Sequence, residues 1–169
     1  MLKLSANEFD AAYKIMEESF PKSELRPYDK MKDLFMNEEL ILYGLHREGK
    51  ICAAIIAWEF EEFIFLENFA VDGKIRGRGI GSKFLKDIKK EFSKDIILEV
   101  EDPFDEMSKK RIQFYKRNGF ILTEFGYMQP PLNDEVNDIP LRLMCYPNAI
   151  DEKTFSNLKT MIFETVFKC

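Results

Sequence analysis

The amino-acid sequence predicts an α+β domain in which helices cover the faces of a mixed sheet. Amphipathic stretches with helical spacing alternate with short apolar stretches that are typical of strands. The length of 169 residues and the 46% hydrophobic content suit one globular domain with a buried core. The 16 phenylalanines also argue against a chain that is disordered in bulk.

The N-terminal segment is predicted to form two helices. Apolar side chains recur at helical spacing through residues 7–20, and Pro21 ends that stretch. Asn7 or Ser5 is suited to cap its first turn, because both side chains accept hydrogen bonds from free backbone amides. A polar loop follows, and residues 28–36 are predicted to form a second, shorter helix.

The rest of the chain is predicted to contain strands and three more helices. The strands are residues 40–45, 51–60, 63–71, 96–101, 120–127 and 141–145, and Gly49 favours a hairpin between the first two. The helices are residues 80–92, 107–118 and 151–167, and Gly119 is suited to end the middle one. The prolines of "MQPPLNDEVNDIP" oppose a regular ladder between the last two strands.

Composition excludes several classes of function. The net charge of −5 argues against nucleic-acid binding, which needs a broad basic face. The longest apolar run, residues 51–58, is far shorter than the ~20 residues of a membrane helix. The N-terminus also becomes polar too early for a signal peptide. We therefore expect a cytoplasmic protein without a nucleic-acid or membrane partner.

Cysteine and histidine are too sparse to indicate a metal site. Cys52, Cys145 and Cys169 are scattered and form no CxxC, which fits reduced thiols in a cytoplasm. The single histidine, His46, lies beside a predicted turn and indicates a surface imidazole rather than a member of a Ser-His-Asp triad. We expect no metal cofactor.

A glycine-rich turn, "VDGKIRGRGIGSKF" at residues 71–84, joins a predicted strand to a predicted helix. The first amides of a helix lack internal partners and the helix dipole is positive there, so such a turn can bind a phosphate. Gly77, Gly79 and Gly81 let the backbone approach a ligand closely. Arg76 and Arg78 add local positive charge to an acidic chain.

Two common phosphate-binding motifs do not fit this turn. A Walker loop ends in Gly-Lys-Ser/Thr, whereas Gly81 is followed by Ser82 and Lys83. A dinucleotide fingerprint would need a third glycine at the position of Ser82. What remains is the pattern Arg76-x-x-Gly79-x-Gly81. A plain strand-to-helix turn, in which glycine supplies a positive φ, is the alternative interpretation.

This pattern resembles the acetyl-CoA pyrophosphate loop of the GNAT N-acetyltransferases, which reads Q/R-x-x-G-x-G/A after a strand. The segments "FAVDGKIRGRGIGSKFL" and "FYKRNGF" and the order of elements over residues 1–146 are similar to that family as well. The resemblance implies a GNAT-like acyl-CoA N-acyltransferase fold with a central mixed, mostly antiparallel sheet flanked by helices. Residues 147–169 would form a helical extension packed on this domain or on a partner.

The resemblance implies acetyl-CoA as the cofactor and assigns residues to it. Backbone amides of the turn would bind the pyrophosphate, and the main chain of the preceding strand would pair with the pantetheine arm. Ser108 stands where the family often has an asparagine, and Arg111 where it often has a small residue, so a hydrogen bond from Ser108 to the arm departs from the pattern. The assigned residues are Phe69, Ala70, Val71, Arg76, Gly77, Arg78, Gly79, Ile80, Gly81, Ser82 and Ser108.

Tyr115 matches the tyrosine that acts as general acid in the family. A phenol with a pKa near ~10 can reprotonate a thiolate whose conjugate acid has a pKa near ~8.5. The alternative is an aromatic side chain that merely packs beside Ile112 on an amphipathic helix.

Three glutamates are candidates for handling the acceptor amine. Glu67 shares strand parity with Phe63, Phe65, Phe69 and Val71, so we expect a partly desolvated carboxylate whose raised pKa suits a general base that acts through water. An exposed Glu paired with a Lys is the alternative. Glu99 and Glu101 alternate on the next strand and would attract a cationic amine, unless they are solvated surface charges.

The resulting hypothesis is an enzyme that moves acetyl from acetyl-CoA directly to a primary amine of a small molecule or peptide. The alternatives are a GNAT-like module that binds acetyl-CoA without turnover, as a sensor or assembly piece, and a generic nucleotide-phosphate protein. GNAT-like proteins commonly dimerise, so a homodimer is one expectation. The loop "QPPLNDEVNDIP" is expected to border the acceptor pocket from its place between the last two strands.

Overall fold

The computed structural model describes residues 1–130, 132 and 139–167, and it contains a seven-stranded sheet flanked by helices. The strands are β1 (Leu2–Lys3), β2 (Ile41–Arg47), β3 (Lys50–Glu59), β4 (Phe63–Val71), β5 (Asp95–Glu101), β6 (Ile121–Gln129) and β7 (Ile139–Tyr146). The helices are α1 (Phe9–Glu17), α2 (Tyr28–Met36), α3 (Ile80–Glu91), α4 (Glu106–Arg117) and α5 (Glu152–Thr165). Short 3-10 turns occupy Ala6–Glu8, Lys22–Glu24 and Gly73–Ile75.

The strand order is β1-β2-β3-β4-β5-β7-β6. The pair β4 and β5 is parallel, and every other neighbouring pair is antiparallel. A parallel pair needs a long crossover, which α3 supplies between β4 and β5. This mixed, mostly antiparallel sheet confirms the predicted fold class.

The predicted elements agree with the structure to within a few residues, with three differences. The predicted first helix is a 3-10 turn followed by α1, and the short β1, which pairs with β2, was not predicted. The proline argument about the last strands was wrong for Pro140, which belongs to β7 and faces Met128 in the ladder. Pro140 is tolerated because it lies just outside the pairing of β5 with β7, whose terminal pair is Glu101↔Leu141.

Helices cover both faces of the sheet. On the first face, α1, α2 and α5 bury a core with strand residues such as Ile56, Phe65 and Leu143. On the second face, α3 and α4 bury a core with Ile55 and Leu66. The predicted C-terminal helix thus packs on its own chain, through Phe155, Leu158, Ile162 and Val166.

β4 and β5 separate halfway along their length. Their parallel register runs only from Phe63↔Asp95 to Leu66↔Leu98. Beyond Leu66, β4 still pairs with β3, and beyond Leu98, β5 still pairs with β7. The two strands therefore leave a wedge-shaped opening in the middle of the sheet.

A β-bulge at Asn68 changes which face the end of β4 presents. Asn68 has φ 47°, and the register with β3 shifts between Ala54 and Ile56. Before the bulge, Phe65 belongs to the first-face core; after it, Phe69 packs against the second. The prediction that Glu67 shares a face with four apolar residues of β4 is confirmed for Phe63 and Phe65. It was wrong for Phe69 and Val71, because the extra residue reverses the alternation.

Among the described residues, no helix is long and apolar enough to span a bilayer. Cys52 and Cys145 are free thiols in the interior, and Cys169 lies outside the described residues. His46 is a half-buried residue of β2, and its Nε2 lies 2.7 Å from Oε1 of Glu8.

Candidate active site

The opening between β4 and β5 continues into a cleft with a cavity volume of about 550 Å³. Its walls are the separated ends of both strands, the N-terminus of α3, one side of α4 and the segment between α1 and α2. Residues from both faces of the sheet line it, among them Glu67, Glu99 and Tyr115. The cleft is therefore a passage through the sheet, and not a depression on one face.

The glycine turn forms one end of this cleft. Gly77 and Gly79 have φ values of 80° and 74°, and Gly79 is the N-cap of α3. Both glycines supply left-handed backbone conformations that other residues adopt at a cost. At Gly81 a Cβ would lie 3.1 Å from the Phe114 ring, so this glycine permits close contact between α3 and α4. Gly77, Gly79, Ile80, Gly81 and Ser82 all line the cleft.

The two arginines of the turn differ in position. The Nε of Arg76 donates to the Val71 carbonyl at 2.9 Å, and its Nη2 donates to the Ser19 hydroxyl at 2.8 Å. Arg76 lines the cleft, and two of its guanidinium nitrogens already donate hydrogen bonds within the protein. Arg78 is exposed and is not among the residues that line the cleft. The structure thus places one guanidinium at this end of the cleft, where two were expected.

The end of β4 supplies backbone to the cleft. Phe69, Ala70 and Val71 all line it, as the sequence predicted. The Phe69 ring packs on the second face, 5.6 Å from the ring of Phe84 and 6.2 Å from that of Phe114. The side chain is thereby held in the core, while the main chain beyond Leu66 has no β5 neighbour in the register.

Tyr115 is a buried residue of α4 that also lines the cleft. Its ring packs against Phe114 and Phe120, with centroids 5.2 and 5.7 Å away. Burial raises the pKa of Tyr115 to about 12, so the phenol keeps its proton throughout the physiological range. Tyr115 packs in the second-face core with Ile112, as the packing interpretation expects. It also reaches the cleft, as a role as general acid requires.

Ser108 lies in the first turn of α4. It is the third residue of α4, and it forms a capping box with Asp105, whose carboxylate accepts from the Ser108 backbone amide at 2.7 Å. The Ser108 hydroxyl also bonds to Asp105, 2.8 Å from Oδ1. Ser108 is buried and is not among the residues that line the cleft, so its hydrogen bond to the cofactor stays a prediction.

Glu67 is buried, and both of its carboxylate oxygens are engaged. Arg26 donates to Oε1 in an ion pair, and the Trp58 indole Nε1 donates to Oε2 at 2.8 Å. The side chains of Arg26 and Glu67 are 1% and 5% exposed. The expected desolvation is present, but the partner is a buried arginine and not a surface lysine.

Glu99 and Glu101 point toward the first face, as their alternation predicted, and both line the cleft. Tyr127 donates a hydrogen bond to Oε1 of Glu99. Burial raises the pKa of Glu99 well above its usual range, the nearby Glu67 charge raises it further, and Arg26 opposes the shift. Glu101 instead pairs with Arg111, with 2.9 Å between Nη1 and Oε2.

A family model for the acetyltransferase (GNAT) domain matches residues 38–122, half of the chain. A curated protein of Bacillus subtilis (strain 168) named "Putative acetyltransferase YjbC" is 32% identical over 159 residues, which are 91% of this chain and 80% of that protein. The chain belongs to the GNAT acetyltransferase family. It is therefore an acyltransferase, and the opening between β4 and β5 is the candidate active site of a GNAT enzyme.

Solved structures agree with this assignment. A structure titled "Putative acetyltransferase from GNAT family", from Bacteroides thetaiotaomicron, is 27% identical with a TM-score of 0.92, covering 99% of this chain and 98% of its own. An aminoglycoside 6'-N-acetyltransferase complexed with coenzyme A has the same fold at 15% identity and a TM-score of 0.64, covering 89% and 98%. GNAT proteins of this fold thus include one that binds coenzyme A.

The GNAT sequence pattern did not reveal several residues of this site. The placement of these residues depends on tertiary structure; they are Glu24, Arg26, Trp58 and Tyr127. Trp58 is the single tryptophan of the chain and ends an apolar strand, which is a weak signal of a special position. Arg111 carried the clearest signal, because a large cation stands where the family often has a small residue.

The described lining of the cleft has features that suit coenzyme A. Beyond Leu66 the β4 backbone lacks a strand neighbour on the β5 side, and Gly77 and Gly79 bring backbone without Cβ atoms to the N-terminus of α3. Among the described residues, no group of three His, Cys, Asp or Glu side chains could hold a metal ion. Most of the predicted loop at "QPPLNDEVNDIP" lies outside the described residues, so its relation to the acceptor pocket stays a prediction.

Proposed function

We propose that this GNAT protein is an acetyl-CoA-dependent N-acetyltransferase that acetylates a primary amine of a small molecule or peptide. One observation carries the proposal: β4 parts from β5 beyond Leu66 and Leu98, and the cleft so formed contains both the α3 N-terminus and Tyr115. The α3 N-terminus suits a phosphate, and the Tyr115 hydroxyl suits a leaving thiol. A protein that merely binds nucleotide phosphates has no need of a tyrosine hydroxyl in the cleft.

The cofactor would lie along the cleft from α3 toward Tyr115. The backbone amides between Gly77 and Ser82 bind the pyrophosphate, since the first amides of α3 have no partner within the helix. Arg76 adds positive charge at that end, and its bonds to Val71 and Ser19 hold it in place. The main chain of β4 from Phe69 to Val71 binds the pantetheine arm.

Glu99 is the general base in this proposal, in place of Glu67. Both oxygens of Glu67 already accept hydrogen bonds, from Arg26 and from Trp58. Glu99 accepts one from Tyr127 at Oε1, and no described residue donates to its Oε2. Its raised pKa brings it toward the range where a carboxylate can take a proton from an amine at neutral pH.

Tyr115 is the general acid. Acetyl-CoA would supply the acetyl group as a thioester, and coenzyme A would leave as a thiol. Overall, a carbon–nitrogen bond forms and a carbon–sulfur bond breaks, while Glu99 accepts one proton from the amine and Tyr115 donates one at the sulfur. Because Tyr115 has a pKa of about 12, it holds that proton at working pH and is reprotonated readily.

The acceptor side of the cleft is acidic. Glu24, Glu67, Glu99 and Glu101 line it, and Arg26 and Arg111 pair with two of these carboxylates. Burial raises the pKa of Glu24, the Glu101 charge raises it further, and Arg111 lowers it. This wall favours cationic amines over acidic acceptors.

The test uses the full chain with acetyl-CoA and a panel of amines, including polyamines, aminoglycosides and peptides, and mass spectrometry detects gains of one acetyl group. A thermal-shift titration compares acetyl-CoA with ATP. Stabilisation by acetyl-CoA with acetylation of at least one cationic amine supports the proposal. Stabilisation by ATP alone contradicts it, and stabilisation by acetyl-CoA without any acetylation would favour a binding module.

A further inference from the structure

A buried ion pair lies behind the candidate base. The Arg26 and Glu67 side chains are 1% and 5% exposed, so this pair is almost fully removed from water. The Arg26 guanidinium also lies 5.3 Å from the centre of the Trp58 ring, in a cation–π contact. Trp58 in turn donates to Glu67, so the three side chains hold one another.

Arg26 is also attached to the far end of the chain. Its Nη2 donates to the Val166 carbonyl at 2.5 Å, just beyond the last residue of α5. A helix leaves its last carbonyls without internal partners, so a guanidinium there satisfies one of them. The orientation of Arg26 therefore depends on the docking of α5.

Both carboxylate oxygens of Glu67 are already bound. Arg26 donates to Oε1 and Trp58 donates to Oε2, so each oxygen keeps only one of its two acceptor sites for another donor. Removing either partner would leave a buried group without its compensation, which is costly. The carboxylate is thus fixed in place. Glu67 and Glu99 directly follow Leu66↔Leu98, the last register pair of β4 and β5, and both line the cleft, so the Glu67 charge acts on Glu99 from the neighbouring strand.

We propose that Glu67 is a positioning residue that controls the charge state of Glu99 and does not itself take the acceptor's proton. Arg26, held by Trp58 and the Val166 carbonyl, fixes Glu67 in this role. The proposal rests on the proposed function in one respect, namely that Glu99 is the base. Its chemical content is that the Glu67 charge makes Glu99 a stronger proton acceptor, while Arg26, which is paired with Glu67, opposes this effect only in part.

Within the described part of the chain, two charged side chains and one hydroxyl act on Glu99. Glu67 acts on it from β4, Arg26 from the segment before α2, and Tyr127 from β6 through its hydroxyl. On β7 its register partner is Leu143, which is apolar. Other charged residues in the described lining include Glu24, Glu101 and Arg111, which act on one another, and Lys110.

The experiment measures the titration of Glu99 directly, in the full chain without ligand. Carbon-13 NMR of protein labelled at the glutamate carboxyl carbons reports each midpoint, and the Glu99 signal is the one lost in Glu99→Gln. We expect the Glu99 midpoint of wild type to lie well above that of an ordinary glutamate. In Glu67→Gln it should fall by about one pH unit, because a negative neighbour is gone and Arg26 remains.

A double variant keeps the test informative if Glu67→Gln does not fold. Arg26→Gln with Glu67→Gln removes both charges, and since Glu67 acts on Glu99 more strongly than Arg26 does, the midpoint should fall less than in Glu67→Gln alone. Trp58→Phe is the matched control, because it disturbs the same carboxylate without changing any charge. Its Glu99 midpoint should stay close to that of wild type.

The outcomes are separable from those of the proposed function. A Glu99 midpoint that does not move in Glu67→Gln or in the double variant overturns the inference, as does an equal shift in Trp58→Phe. If Glu99→Gln retains full acetyl transfer, the base assignment fails while the electrostatic coupling can still be measured. If both hold, the acid limb of the kcat/KM profile against pH moves in Glu67→Gln in the direction of the NMR midpoint.

Discussion

The Arg111 guanidinium lies 2.9 Å from the Glu101 carboxylate, and this ion pair joins opposite faces of the sheet. Arg111 belongs to α4, which packs on the second face, whereas Glu101 faces Leu141 in the register and Leu141 belongs to the first-face core. The pair therefore reaches across at the end of β5, beside the cleft. It removes one negative charge from the acceptor wall.

The first prediction concerns this charge. Glu101→Gln should raise the KM for a cationic amine roughly two- to tenfold, because Arg111 then remains uncompensated, whereas Arg111→Gln should lower it. The double variant should return close to wild type, since it restores the charge balance. Steady-state kinetics at low and high salt check this, and both effects should shrink at high salt. Equal losses in all three variants would show a structural role instead.

The second prediction separates catalysis from binding. Tyr115→Phe should lower kcat by roughly a hundredfold or more through loss of the acid, while the Kd for acetyl-CoA changes little. Tyr146→Phe is the matched control, because Tyr146 contacts the same Phe120 ring at 5.6 Å, compared with 5.7 Å for Tyr115, and does not line the cleft. Pre-steady-state kinetics and calorimetry provide the two readouts. A parallel loss of affinity would mean that Tyr115 is structural.

The third prediction tests the glycine turn with two glycines that have the same φ value. Gly79 and Gly49 both have φ 74°, and neither has a heavy atom within 4 Å of an added Cβ. Alanine at either position should therefore cost a similar free energy of unfolding, about 1–2 kcal/mol. Only Gly79→Ala, at the N-cap of α3, should weaken acetyl-CoA binding, by roughly tenfold.

Urea unfolding and calorimetric titration of both variants measure these quantities. If Gly49→Ala weakened acetyl-CoA binding as much as Gly79→Ala, the effect would come from general instability. If neither did, the α3 N-terminus would not be the phosphate site.

Local patterns predicted the parts of the site that lie close together in sequence. The bounds of β4, the start of α3 and the place of Tyr115 on α4 follow from periodicity, glycine spacing and the GNAT pattern. These signals depend on neighbouring residues, which determine whether a segment is helical or extended. They predict which face of the sheet a side chain occupies only where the strand alternates regularly. At Asn68 a β-bulge interrupts that alternation.

The electrostatics of the site could not be predicted in the same way. Arg26 is 41 residues from Glu67 and 140 from Val166, and Tyr127 is 28 residues from Glu99. Nothing local identifies these partners, because each bond forms only when separate helices and strands pack together. The sequence indicated carboxylates near the cleft, but which one is neutralised and which is free to take a proton depends on those distant partners.

The last prediction concerns stability and pH. Glu99 has a pKa of 4.5 as an ordinary glutamate, and a raised value in the folded protein. Below pH 4.5 the Glu99 carboxyl is protonated in both the folded and the unfolded state. As the pH rises above 4.5, this carboxyl ionises first in the unfolded chain, so the free energy of unfolding falls until the pH passes the pKa of the folded state. The loss is about 1.4 kcal/mol for each unit that separates the two pKa values.

Glu99→Gln cannot ionise, so it should become more stable relative to wild type as the pH rises from 4.5 toward neutrality, while acetyl transfer falls. Urea unfolding at several pH values measures this difference. Glu124→Gln, which removes an exposed carboxylate from β6, controls for the change in net charge. A difference between Glu99→Gln and wild type that stays constant with pH would contradict the prediction, because it would mean that the carboxyl ionises as readily in the cleft as in water.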